Sequence, residues 1–173
     1  MAVSSVSDPA AEPLRFFGAA GDRPLLEWSW VVGQLTEAGT FWVVAGGAAR
    51  AHPRPVWGVW EDGRLILSLG SPVLRRQLAN DAFVTVHLDS GTDVVILEGR
   101  ATGHTADPAD VRLYDEKYDW HYDADQYGPL TVVTPTVIMA WRAAGPAGRD
   151  GFATAGRWAV DPDSTGQHAA GES

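Results

Sequence analysis

The chain has 173 residues, 45% of them apolar and 20% charged, a length and balance that suit one globular domain with a sizeable core. It contains no cysteine, which excludes a disulfide framework, a thiolate metal site and a cysteine nucleophile together. Its net charge of −9 argues against nucleic acid as a partner, because counterion release needs a basic surface.

Residues 1–24 mix Ala, Ser, Pro and Gly and read as an arm from which Leu14, Phe16 and Phe17 can dock on the core. The first residues lack a basic then apolar leader pattern, and no later run approaches the roughly eighteen uninterrupted apolar residues of a membrane span. A cytoplasmic protein with no membrane partner is expected. The domain proper is expected over 25–160, followed by a polar, Gly/Ala-rich disordered tail over 161–173.

The domain opens with a helix over about 26–38, where Leu26, Trp30, Val31, Leu35 and Ala38 recur at helical spacing and Gly39 provides a stop. The period then changes to that of strands. Expected strands are Thr40–Ala45, Arg54–Trp60, Arg64–Ser68, Phe83–Leu88, Asp93–His104, Thr136–Trp141 and Phe152–Val160. Asp62-Gly63 supplies the positive φ that a tight hairpin turn requires between the second and third of these. Ser71-Pro72 starts a second helix over 72–80, with serine as cap and proline at the first helical position. Asp107-Pro108 opens a third over 107–120, carrying Val111, Tyr114 and Tyr118. Seven short runs with Gly, Pro and Asp punctuation indicate a mainly β, antiparallel barrel with flanking helices. Trp57 and Val59 on one strand face, and Val94 to Leu97 apolar on both, call for cover beyond these helices, and a homodimer is expected.

Five of the twelve arginines, Arg50, Arg54, Arg64, Arg75 and Arg76, fall in the hairpin and second-helix region, while acidic residues crowd 107–125. A helix start with free amides and nearby guanidinium groups suits a small anion such as a phosphate. The alternative is a capped surface helix with solvated arginines. The histidines, at 52, 87, 104, 121 and 168, form no ligand-spaced pair, so no metal site is expected. His87, on a strand near the inferred pocket, is a candidate for proton transfer or for a satisfied, partly buried ring. No nucleophile elbow, P-loop or dinucleotide glycine fingerprint is present, and the catalytic residues cannot be assigned.

Several phrases in order along the chain resemble the pyridoxamine 5'-phosphate oxidase-like, FMN-binding split-barrel superfamily, including its flavin and deazaflavin oxidoreductases. They are Trp30 with Phe41-Trp42, the run Arg54 to Trp60, the helix Leu74 to Asn80, Val84 to Leu88, Val94 to Ala101, Glu116-Lys117-Tyr118-Asp119-Trp120, and Arg157-Trp158. The resemblance implies a Greek-key split β-barrel binding FMN, or the deazaflavin coenzyme F-420, at a dimer interface and moving hydride to or from a small-molecule substrate. It places the phosphate on Arg54, Ser68, Ser71, Arg75 and Arg76, and the ring against the backbone around Val56. Trp57 and, from the other subunit, Trp158 are its implied ring neighbours, and His87 is counted with the cofactor-binding residues. The family's usual lysine early in the phosphate helix falls on Leu74 here, so that Arg75 or Arg76 takes over the anion or the cofactor has been given up. In the latter case a non-catalytic barrel would bind flavin, haem or another flat anionic ligand.

Overall fold

The computed structural model describes residues 8–16, 19–20, 23–45, 50–143 and 152–160. Phe17, His168 and the tail over 161–173 lie outside them. In chain order the elements are β1 (Ala11–Pro13), β2 (Arg15–Phe16), β3 (Ala19–Ala20), α1 (Trp28–Glu37), β4 (Phe41–Ala45), β5 (Arg54–Val56), β6 (Gly58–Glu61), β7 (Arg64–Leu67), α2 (Pro72–Asn80), β8 (Phe83–His87), β9 (Asp93–Thr105), α3 (Pro108–Tyr118), α4 (Ala124–Tyr127), β10 (Leu130–Arg142) and β11 (Gly156–Ala159).

The main sheet runs β1-β11-β10-β9-β8-β4-β5, and every pairing is antiparallel. At its other turn, β7 pairs with the first residues of β10 and also carries β6. The expected single strand Arg54–Trp60 is in fact two, β5 on β4 and β6 on β7, because the chain turns a corner at Trp57. The sheet therefore bends back on itself through this corner without closing, which makes a split barrel.

Local chemistry explains most boundaries. The hairpin turn has positive φ at both Asp62 and Gly63, as a two-residue primed turn demands. Ser71 caps α2 by accepting from the Leu74 amide, and Asp107 caps α3 by accepting from the Ala109 amide. The acid at Asp110 does not complete a capping box; it is buried and pairs in two-pronged fashion with Arg64 of β7. The largest departure is β10, which begins at Leu130 and not at Thr136. Pro135 interrupts the strand pattern, and the ladder accommodates it with a register shift between Pro135 and Val137. Gly99 lies opposite, where a Cβ would stand 2.4 Å from the Thr134 carbonyl oxygen. The arm is also partly structured, since β1 pairs with β11.

The inner face of the sheet, with Phe41, Val43, Val86, Leu97, Ile138 and Trp158, forms the main core, closed by Val31 and Leu35 of α1 and by Leu74 and Leu78 of α2. A second cluster packs Val59, Ile66 and Leu130 under Tyr114 and Tyr122. Val59 is thus covered by α3 and its following loop, so it makes no demand for a partner. The outer face carries Trp42, Val44, Val94, Ile96, Val137 and Met139, all half-buried.

The corner leaves no room for a side chain at position 58: a Cβ there would meet Leu67 Cδ2 at 2.6 Å and the Ile66 carbonyl oxygen at 3.0 Å. Gly58→Ala is expected to lose about 1–3 kcal/mol in urea denaturation. Gly33→Ala, in α1 with open space around its Cβ position, is expected to gain up to about 1 kcal/mol in the same measurement.

Candidate functional site

The corner between β5 and β6 organises the surroundings of the sequence-predicted residues. Trp57 leaves the ladder there and exposes 43% of its surface, while its carbonyl still accepts from the Ser68 amide at 3.2 Å. Gly58 is held from α3. The Tyr118 hydroxyl accepts from the Gly58 N–H at 2.8 Å and directs its proton at the carbonyls of Gly58, 2.8 Å, and Gly39, 3.1 Å. Lys117, the single lysine of the chain, donates to the Gly58 carbonyl at 3.0 Å and lies over the Phe41 ring, 5.3 Å from its centroid. The ring of Tyr118 stacks on Trp57 at 4.7 Å and 6°, so the exposed indole is propped from beneath by the residue that fixes its backbone. Trp120 meets Trp57 edge-on at 6.0 Å and 82°.

Burial shifts the ionisable groups of this wall. It pushes the Tyr114 and Tyr118 phenols up and the Lys117 ammonium down, since each charged form is the one desolvation disfavours. The Ser68 hydroxyl hydrogen-bonds Tyr114 and opposes its rise, and the Gly58 backbone does the same for Tyr118.

From Ser68 the chain passes through Leu69 and Gly70 to the α2 start. Leu74 is fully buried in the main core, so its side chain packs inward and away from solvent. The solvent-facing residues of this turn are Arg75 and Arg76, and they differ. Arg75 donates to the Leu69 carbonyl through Nε and to the Tyr127 carbonyl through a terminal nitrogen at 2.6 Å. Its guanidinium lies 3.3 Å from the Cβ position of Gly128, whose φ of +82° suits glycine. Arg75 therefore braces two loops. Arg76 is exposed and makes no hydrogen bond or ion pair among the described residues. Arg54 is exposed on the edge strand β5, with one terminal nitrogen donating to the Pro53 carbonyl. Gln77 of α2 donates to the Arg50 carbonyl, which ties the helix to the segment leading into β5.

The predicted residues thus fall into three groups. Val56, Trp57, Ser68, Ser71, Arg75 and Arg76, with Arg54, follow one another along the corner, the β7 exit and the α2 start. His87 lies elsewhere, on the outer sheet face, stacked on Trp42 at 6.2 Å and 2° in the cross-strand row with Pro55. Its Nδ1 contacts the Leu88 carbonyl, and Trp42 donates to Asp89. Trp158 is fully buried in the core of its own chain against Trp28, with no face open to a ligand. Its expected place as a ring neighbour is therefore corrected. The roles of Tyr118, Lys117 and Trp120 went unassigned from the sequence, although the Lys117–Trp120 phrase stood out there.

Two grooves are found among the described residues. One, of about 390 Å³, runs between the β6–β7 turn and α3 and mixes Glu61, Asp62, Asp110 and Glu116 with Arg64 and Arg112. The other, of about 210 Å³, lies at the end of α1 with Glu37 and Asp89. Among the described residues no cluster of His, Asp or Glu could hold a metal ion, and no helix is long and apolar enough to cross a membrane.

No family model and no curated protein sequence matches the chain. Its fold does match solved structures. An F-420 reductase superposes with a TM-score of 0.50 at 17% identity, covering 61% of this chain and 93% of its own. An FAD-binding protein from Mesorhizobium loti gives 0.51 at 11%, covering 78% and 96%. A candidate pyridoxamine 5'-phosphate oxidase from Listeria innocua gives 0.50 at 14%, covering 64% and 91%. The fold is the split barrel that these solved structures share.

Tyr118 bridges α3 to the corner, so Tyr118→Phe strands the Gly58 N–H and is expected to cost about 1–3 kcal/mol in urea denaturation. The raised phenols also set an alkaline limit. An unfolded tyrosine ionises near pH 10 while the folded Tyr114 and Tyr118 stay protonated, so the stability they contribute is intact below that pH and is lost as it rises further. Lys117 acts oppositely, favouring the folded chain as pH climbs towards 10.5. A wild-type urea midpoint that falls steeply above about pH 10.5 is expected, and it should fall less steeply in Tyr114→Phe.

Proposed function

We propose that the chain is a flavin-type oxidoreductase, binding FMN or the deazaflavin F-420 and moving hydride to or from a small organic substrate. The observation that carries this reading is the continuity of the exposed Trp57 wall with the Ser71 helix start through the Trp57–Ser68 backbone hydrogen bond. It links an exposed aromatic surface through β7 to a capped helix start, and an apolar ring surface and an anion-binding turn are the two features that a flat phosphorylated cofactor needs. The similarity in fold to an F-420 reductase and an FAD-binding protein supports the class of cofactor.

The residues at hand fit such a group. Among the described residues Arg76 has its full set of donors free and Arg54 has most of its own, and the Val73 amide at the opening of α2 has no partner within its helix. Arg75 supports them by fixing Leu69, two residues before the cap. A bound flavin or deazaflavin supplies the hydride chemistry, so the chain needs to anchor the phosphate, hold the ring and exclude water, not furnish a catalytic triad. The alternative is a barrel that binds a flat anion without turning it over; burial of Leu74 at the position expected for lysine favours it.

A second copy of the chain is the partner proposed for the outer face. Trp42, Val44, Val94, Ile96 and Met139 lie side by side on it, each half-buried, and a dimer would bury them. Sedimentation at micromolar concentration should give a dimer. Ile96→Lys should dissociate it, and a monomeric wild type would refute this part of the proposal.

For the cofactor, isothermal titration of FMN and of F-420 into wild type, Arg76→Ala and Arg75→Ala separates the arginines. Arg76→Ala should weaken binding by roughly 10–150-fold with unchanged thermal stability, as for loss of one charge-assisted contact. Arg75→Ala should lower stability together with affinity, because it releases two loops. Equal affinity in all three proteins would refute the anion site. A wild type that binds neither cofactor below millimolar would replace the enzyme by the binding-module alternative.

A further inference from the structure

Trp57 and Trp120, at 43% and 46%, are the two most exposed large apolar side chains among the described residues, and they touch each other. Scattered exposed aromatics need no explanation, but two adjoining indoles held at 82° make an open apolar corner. Both walls are fixed in advance. Trp57 is backed by the stacked Tyr118, whose hydroxyl holds both backbone groups of the next residue, Gly58. Trp120 follows Asp119, a non-glycine residue in the left-handed region at φ +47°. That turn is secured on both sides, by the Trp120 N–H on the Asp115 carbonyl at 3.1 Å and the Tyr122 N–H on the Asp115 carboxylate at 2.7 Å. A left-handed conformation at a non-glycine residue costs roughly 1 kcal/mol or more, and here it returns Trp120 from the end of α3 to the corner.

We propose that Trp120, together with Trp57 of the same chain, forms the wall that receives the planar ring of the flavin-type cofactor. This rests on the function proposed above and assigns to Trp120 the place that the buried Trp158 cannot fill. Rigid walls of this kind bind a flat ring with little further loss of side-chain freedom. The Trp57–Ser68 hydrogen bond ties this wall to the β7 exit, from which the chain runs on to the Ser71 turn and Arg76. The competing wall is the Trp42–His87 stack on the outer sheet face.

The test uses the full chain and two probes, riboflavin, which has the ring without the phosphate, and FMN, followed by flavin fluorescence. Wild type is compared with Trp120→Ala, Trp120→Phe, Trp42→Ala and Arg76→Ala, with thermal midpoints as a control for folding. Trp120→Ala should weaken both probes about tenfold by the same factor, and Trp120→Phe should restore most of the loss. Arg76→Ala should weaken FMN alone. If FMN binds wild type and Trp120→Ala equally, or if Trp42→Ala alone removes both probes, the ring wall is overturned while the cofactor reading stands. If wild type binds neither probe, the wall is overturned as a flavin site and the FMN form of the cofactor reading falls with it, while the F-420 form is decided by the titration above.

Discussion

The architecture depends on one backbone constraint, the absence of a side chain at Gly58. A strand that pairs with β4 up to Val56 and with β7 from Gly58 onward must pass close to both, and the Leu67, Ile66 and Phe41 atoms around Gly58 leave no space for a Cβ. The same change of partner takes Trp57 out of the ladder and turns its indole outward. Splitting the barrel and exposing the candidate ring surface are therefore one event. The Gly58 amide and carbonyl, left at the seam, are satisfied by Tyr118 and Lys117, which explains why α3 lies over this part of the sheet.

Placing a lysine and a tyrosine at the seam has electrostatic consequences. A half-buried ammonium with one carbonyl and two aromatic faces is less well solvated than in water, and the tyrosine hydroxyls nearby resist ionisation for the same reason. The chain tolerates these costs because the groups close the gap that Gly58 opens. Carboxylates line the groove between the hairpin turn and α3 together with Arg64 and Arg112, and Asp110 there pairs with Arg64, while the exposed Arg54 and Arg76 lie on β5 and α2.

Much of this was legible in the sequence where a local signal and the tertiary requirement coincide. Asp62-Gly63, Ser71-Pro72 and Asp107-Pro108 specify turn and helix starts through their own dihedral preferences and capping chemistry, and each does so in the structure. The corner at Trp57 was not legible, since a strand that changes partner keeps its β-branched and aromatic composition. The start of β10 was hidden by Pro135, which is tolerated only because the ladder shifts register there. Trp158 and Leu74 show the same limit from the site's side. Apolar residues beside a binding motif read alike whether they face ligand or core, and only the pairing of β11 with β10 and the packing of α2 turn them inward.

The difference between Arg75 and Arg76 has the same origin. Adjacent residues on a helix are separated by about 100°, so two consecutive arginines cannot share one task. Arg75 sits above the loop bearing Leu69 and beneath Gly128, where two carbonyls accept its donors. Its planar fork can hold both loops at once, which an ammonium of similar reach does less well. Arg76, one step round the helix, meets neither loop and keeps its donors for solvent or a ligand. Position 74 lies in the main core, where Leu74 is fully buried, so on this turn the exposed cations are those of the next residues of the helix.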